Sequence, residues 1–422
     1  MPLVQSKLRA AFGKASALAT ALLLSAQTVA FSSDQTSSIN QTSAIDPRSS
    51  IGQTSNIYQT SSIDPVSSID PTSALNRTST FVYAAELAPV TFEENGAICE
   101  QLHVPIYSWT KAHTHPRGVI LAVHGLAMHG KSFAAVGTKL AELGYAVYSL
   151  DLRGYGRCNA DDHGFCVLPD CKHRINYDSS FDDIVRTARF LRELYPTVPL
   201  FGMGESLGGA MVIRLSATNP ELVDGLVLSA PAIKHRTFID PYLVADAGLV
   251  LANPRKQLDL TPFFRRFCSD DPRVVEETQT DPLVRRHLSA YELMQSSQTV
   301  RKTASFIDKI PKETPVLVIQ GSADRCVKAN AVMVLLSKLR STDQTVKWFA
   351  ERGHILLETA YVKPDTMDAV VGWLGSHVDT PAMQAKCNRT KEIVSQKSRM
   401  LELSAHAPNI IRTIANTAQI ED

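Results

Sequence analysis

Five residues near the middle of the chain restrict its fold more than any other stretch. Gly204-Glu205-Ser206-Leu207-Gly208 sits between the apolar run PLFGM and the helical run GAMVIRLSA. A strand that turns into a helix through one residue brings neighbouring backbone so close that side chains at the flanking positions would collide. Two glycines meet that demand. The serine hydroxyl is then displayed at a helix N-terminus, where free N–H groups favour developing negative charge. In this strand, turn and helix context the pattern G-x-S-x-G predicts Ser206 as a nucleophile.

A serine hydroxyl attacks only when a base takes its proton, and the base needs a third group to fix its tautomer and balance its charge. Two further sites are therefore expected after later strands. The run PVLVIQG leads into Asp324, and TVKWFA leads into Glu351-Arg352-Gly353-His354. Either residue alone reads as a turn former. In the order Ser, Asp, His after successive strands they read as the acid and general base of an α/β hydrolase. An oxyanion hole needs two donors. The backbone N–H of Leu207 supplies one, and that of Leu126, in the loop HGLAMHG after an earlier strand, is expected to supply the other. His124 and His129 in that loop invite metal or base roles, but a histidine before this glycine fits better as a brace.

The surrounding pattern supports an α/β chain with a mostly parallel sheet flanked by helices. Residues 88–109 read as an opening β-hairpin. Core strands are expected at 118–124, 145–151, 199–204, 225–230, 315–321 and 345–350, and helices at 131–143, 178–195, 206–218, 328–340 and 363–376. The strands are continuously apolar, as in a sheet covered on both faces. Residues 232–310 interrupt the alternation. An insertion there lies over the carboxyl ends of the strands, where ligands bind in such folds, and is assigned as a helical cap. Its Phe263, Phe264 and Phe267 either line an apolar mouth or simply fill core.

The hydrolase domain is placed at 83–380, with a tail at 381–422. Residues 1–30 carry Lys7, Arg9 and Lys14 and then a small-residue apolar run, the layout of a cleaved secretory signal. An uncleaved anchor is the weaker alternative, because the run is short and diluted by Ser, Thr and Gln. An exported, periplasmic or extracellular location is expected. Residues 31–82 contain a six-residue repeat from Asp34 to Phe81, DQTSSI through NRTSTF. A short β-helix would have a thin core and open ends, so a disordered Ser/Thr-rich spacer towards a membrane or cell wall is preferred. Of seven cysteines, Cys158, Cys166 and Cys171 suggest a local disulfide rather than a metal site, since paired C-x-x-C spacing is missing. With a formal net charge of +1, no nucleic-acid partner is expected.

The set HGLAMHG, DLRGYG, GESLGGAM, GSADRCV and ERGH resembles the monoacylglycerol lipase and lysophospholipase-like branch of the α/β hydrolases, and DDPRVVEETQTDPLV in the insertion resembles it too. The resemblance implies a helical cap over an acyl-binding tunnel, ester hydrolysis through an acyl-enzyme, no metal or organic cofactor, and small-molecule or lipid acyl esters as partners. It implies the same Ser206, Asp324 and His354 and the same donors. Met128, Tyr155 and Cys158 depart from the family pattern and bear on substrate identity. An acyltransferase or amidase on the same residues, and a surface-attachment protein with an inert hydrolase domain, are the alternative readings.

Overall fold

The computed structural model describes residues 88–112, 114–159, 174–233, 253–327 and 329–389, with 391, 392, 395 and 396 beyond. The chain divides into two units, 1–76 and 77–422. The first lies wholly outside the described residues, as do the expected signal, the repeat, and Cys166 and Cys171 of the expected disulfide.

Eight strands form one sheet in the order β1-β2-β4-β3-β5-β6-β9-β10. They are β1 (Val90–Glu93), β2 (Ile106–Lys111), β3 (Val119–Val123), β4 (Ala146–Leu150), β5 (Leu200–Glu205), β6 (Gly225–Ser229), β9 (Val316–Gly321) and β10 (Gln344–Phe349). From β4 to β10 all neighbours are parallel; β1 and β2 add an antiparallel edge. This is the expected α/β-hydrolase arrangement, with each core strand within a residue or two of its expected span. The opening pair differs in one respect: a helix, α1 (Ala97–Leu102), joins β1 to β2 where a turn was expected. Ile98 and Cys99 of that helix are buried, and the Cys99 thiol bridges to the backbone of Ile106, so the connection is anchored to the core.

Strand alternation explains the two layers. Val119, Leu121 and Val123 of β3 pack on one face with α3 (Tyr177–Leu194), α4 (Leu207–Thr218) and α8 (Ala329–Lys338), while Ile120 and Ala122 face α2 (Ala134–Glu142) and α9 (Pro364–Val378) on the other. With both faces covered, every β3 residue is buried, which is why the strand reads as an unbroken apolar run.

The insertion between β6 and β9 holds α5 (Thr261–Phe267), α6 (Pro272–Thr280) and α7 (Ala290–Thr303), together with a two-stranded antiparallel ribbon of β7 (Gln257–Asp259) and β8 (His287–Ser289). Three-residue strands leave too little alternation to be legible in sequence. α7 begins with a reciprocal capping box, Ser289 with Glu292. The cap is tied to the body by Arg285, whose amide donates to the Ala127 carbonyl at 2.8 Å and whose guanidinium donates to the Gly154 carbonyl at 2.6 Å. No helix among the described residues is long and apolar enough to cross a membrane.

Candidate active site

Only Ser206 separates β5 from α4. It is held at φ 54°, ψ −114°, a conformation L-residues rarely adopt, and its amide donates to the Ser229 carbonyl at 2.9 Å. The two glycines have the expected reason. A Cβ on Gly208 would lie 1.8 Å from the Val123 carbonyl oxygen, and one on Gly204 would lie 2.4 Å from the Gly208 carbonyl carbon. Both obstructions are backbone and cannot turn aside.

His354 follows β10 and Asp324 follows β9. Their side chains meet, Nδ1 to Oδ2 at 2.8 Å, and both groups are almost wholly buried. Asp324 is fixed from three further directions. Its Oδ1 accepts the amides of Cys326 at 2.7 Å and Val327 at 2.9 Å, and Oδ2 accepts Gln320 Nε2 at 2.8 Å. Burial works to raise the Asp324 carboxyl, but His354 and these donors outweigh it and hold it below the usual range. Burial pulls His354 down, and the Asp324 charge overrides it, raising the imidazole above its ordinary value. Cys326 also touches this pair. Its hydrogen bond with Cys268 and its burial push the thiol well above its ordinary range, so at neutral pH it adds no charge of its own.

Ser206 and His354 line one cavity of about 160 Å³ beneath the cap, whose wall includes Leu126, Met128, Leu207, Phe263, Phe264, Cys268 and Cys326. That is about ten times the ~10–15 Å³ a single water requires. Of the three cap phenylalanines, Phe263 and Phe264 reach this wall, whereas Phe267 packs behind Phe263, ring centroids 5.1 Å apart and tilted. Leu207 opens α4, so its N–H is among those a helix leaves without an internal acceptor. The loop carrying Leu126 comes close beside it: a Cβ on Gly125 would sit 3.3 Å from Ser206 Cβ.

His124 braces that loop, as expected. Its Nε2 accepts the Leu152 amide at 3.0 Å, which leaves Nδ1 to donate to the Gly125 carbonyl at 2.8 Å. Complete burial lowers its pKa to about 4, so the ring stays neutral. His129 instead contacts Asp281 of the cap through Nε2, at 2.9 Å.

Two buried acids went unread in the sequence. Glu205, the second residue of the G-x-S-x-G run, is wholly buried and receives the Ser229 hydroxyl and the amides of Leu356, Leu357 and Glu358. It therefore fastens the segment after His354 to the end of β5. Glu358 accepts the Gly125 amide at 2.6 Å and lines the cavity. Burial and then the neighbouring Glu205 push Glu358 well above the ordinary carboxylate range, while burial also raises Glu205. Glu205 has the richer set of donors to a charged form, so burial weighs more heavily on Glu358. The available signal was an acidic residue next to Ser206 and another four residues after His354, each in otherwise apolar sequence.

Asp324, Cys326 and His354 bring potential ligand atoms within 4.8 Å of one another. They are poorly suited to a metal ion: Asp324 and His354 are engaged with each other, and both Asp324 oxygens already accept further hydrogen bonds.

A family model described as serine aminopeptidase, S33, matches residues 114–359. A monoacylglycerol lipase from Mycolicibacterium smegmatis is 27% identical over 274 residues, covering 64% of this chain and 92% of that protein. A monoglyceride lipase from Mus musculus is 25% identical over 265 residues, covering 62% and 84%. In structure, the chain is similar to the monoacylglycerol lipase of Paleococcus ferrophilus, with a TM-score of 0.52 at 24% identity over 65% of this chain and 99% of the other. Sheet order, cap position and family match agree: this chain belongs to the serine aminopeptidase S33 family of α/β hydrolases.

Proposed function

We propose that the protein hydrolyses carboxylic esters of the monoacylglycerol type, with Ser206 as nucleophile, His354 as general base and Asp324 as its orienting acid. The reading rests above all on one observation: Ser206, on its strained turn, and His354, which is paired with Asp324, line a single apolar cavity under a cap. Because His354 Nδ1 is bound to Asp324, Nε2 is the nitrogen left to take the Ser206 proton. Ser206 Oγ attacks the acyl carbonyl, and the amides of Leu126 and Leu207 receive the negative oxygen. His354 then protonates the leaving alcohol, and water activated by the same ring releases the acid. Relatives named as monoacylglycerol and monoglyceride lipases support acyl glycerides as the substrate class, with lysophospholipids as a further candidate.

The family's description favours a second reading, cleavage of an N-terminal peptide bond. Binding a substrate ammonium would call for an anion in the wall. The wall is largely apolar; of its two acids, Glu205 is taken up by the Ser229 hydroxyl and three backbone amides and burial disfavours a charge on Glu358, so the ester reading stands ahead. Ser206→Ala should abolish turnover of a graded ester panel while circular dichroism stays unchanged, and a fluorophosphonate probe should label Ser206. Robust hydrolysis by that variant, or labelling elsewhere, would sink the assignment. Faster cleavage of amino-acyl anilides than of monoglycerides would favour the peptidase, and acyl transfer to an added alcohol would mark an acyltransferase. Export and tethering through residues 1–82 belong to the same proposal.

A further inference from the structure

We propose that Cys268 and Cys326 form a dithiol site, closed to a disulfide by a two-electron oxidant such as a peroxide, and that closure reversibly disables the enzyme. Both side chains line the cavity that holds Ser206 and His354. Cys268 caps the C-terminal end of α5 in the cap; Cys326 lies two residues beyond Asp324. The two side chains belong to one apolar cluster, and Cys326 Sγ donates to the carbonyl of Phe267, the residue next to Cys268, at 3.4 Å. Both cysteines are free.

The backbones of these cysteines hold the residues proposed for catalysis. The Cys268 carbonyl accepts the amides of His354 at 3.1 Å and Ile355 at 2.9 Å, and the Cys326 amide donates to Asp324 Oδ1 at 2.7 Å. A disulfide draws two sulfurs from non-bonded contact to about 2 Å. That movement must be absorbed by the segments that position His354 and Asp324, and a misplacement of about 1 Å can cost about 10²-fold in rate.

The chemistry balances without a metal. Cys268, as its thiolate, attacks a peroxide oxygen, giving a sulfenic acid and hydroxide; the Cys326 thiol displaces the sulfenic oxygen as water. Two thiols and one hydrogen peroxide become one disulfide and two waters. Dithiothreitol returns the electrons by exchange.

The inference takes Ser206, His354 and Asp324 as the working residues, whereas the cross-link is read by mass and is independent of that reading. The reduced full-length protein is treated with hydrogen peroxide, digested without reduction and assayed for ester turnover in parallel. The expected result is a linked peptide pair two hydrogens lighter than its parts, a fall in turnover of about 100-fold in step with the link, and recovery of both with dithiothreitol. Cys268→Ser and Cys326→Ser, each measured against its own untreated rate, should resist the loss; the alanine variants serve if a serine variant fails to fold. Absence of the link, a link with undiminished turnover, or equal inactivation of the single variants would overturn the proposal. A link in a protein that never hydrolysed esters would instead remove the proposed function and leave the dithiol site standing.

Discussion

Asp324 governs the proton affinity of His354, and this makes its role measurable. As the proposed base, His354 acts only when neutral, and the neighbouring carboxylate favours the protonated ring. The acidic limb of kcat/KM should therefore lie above the ordinary histidine value of ~6.5. Asp324→Asn removes that charge, so the limb should move to lower pH while the maximal rate falls by about 10⁴-fold, because the amide favours the wrong imidazole tautomer. A pH profile of both proteins decides this: an unmoved limb would mean that Asp324 only packs. Ser206, Asp324 and His354 were legible because chemistry demands them in a set order after strands. Glu205, Glu358, Cys268 and Cys326 were not, since their significance lies in contacts between segments far apart in the chain.

At the scale of elements, the β5–α4 junction depends on close backbone approach. Gly208→Ala would place a methyl 1.8 Å from the Val123 carbonyl oxygen of β3. The helix start or the strand end must then shift, at an expected cost of about 3 kcal/mol or more, as for severe overpacking. Denaturant unfolding should show the loss, with turnover reduced as the turn at Ser206 opens. The buried strands were readable because burial on both faces erases polar residues, leaving β3, β5 and β6 as apolar runs ended by glycine or turn residues. The β7–β8 ribbon and α1 were not. Each is short and is anchored by tertiary contacts such as the Cys99 thiol on the Ile106 backbone.

For the whole molecule, sheet, family match and cavity all fall within the unit at 77–422, while the repeat at 31–82 lies almost entirely in the other. If the repeat is a spacer, a chain lacking 31–82 should hydrolyse a soluble ester at the full-length rate and lose only its location in the cell. A tenfold fall in kcat/KM would give the repeat a part in catalysis. The sequence by itself determined the layered α/β class, the strand positions, the elbow and the order of Ser206, Asp324 and His354, because periodicity and local sterics act over a few residues. Tertiary structure decided how the cap meets the body, through Arg285 on Ala127 and Gly154 and the Cys268 carbonyl on His354. It also decided that Phe263 and Phe264 face the cavity while Phe267 does not, and that burial raises the proton affinity of Glu358. The reason is physical: desolvation and contact between distant segments exist only once the chain has closed, and no local pattern encodes their partners.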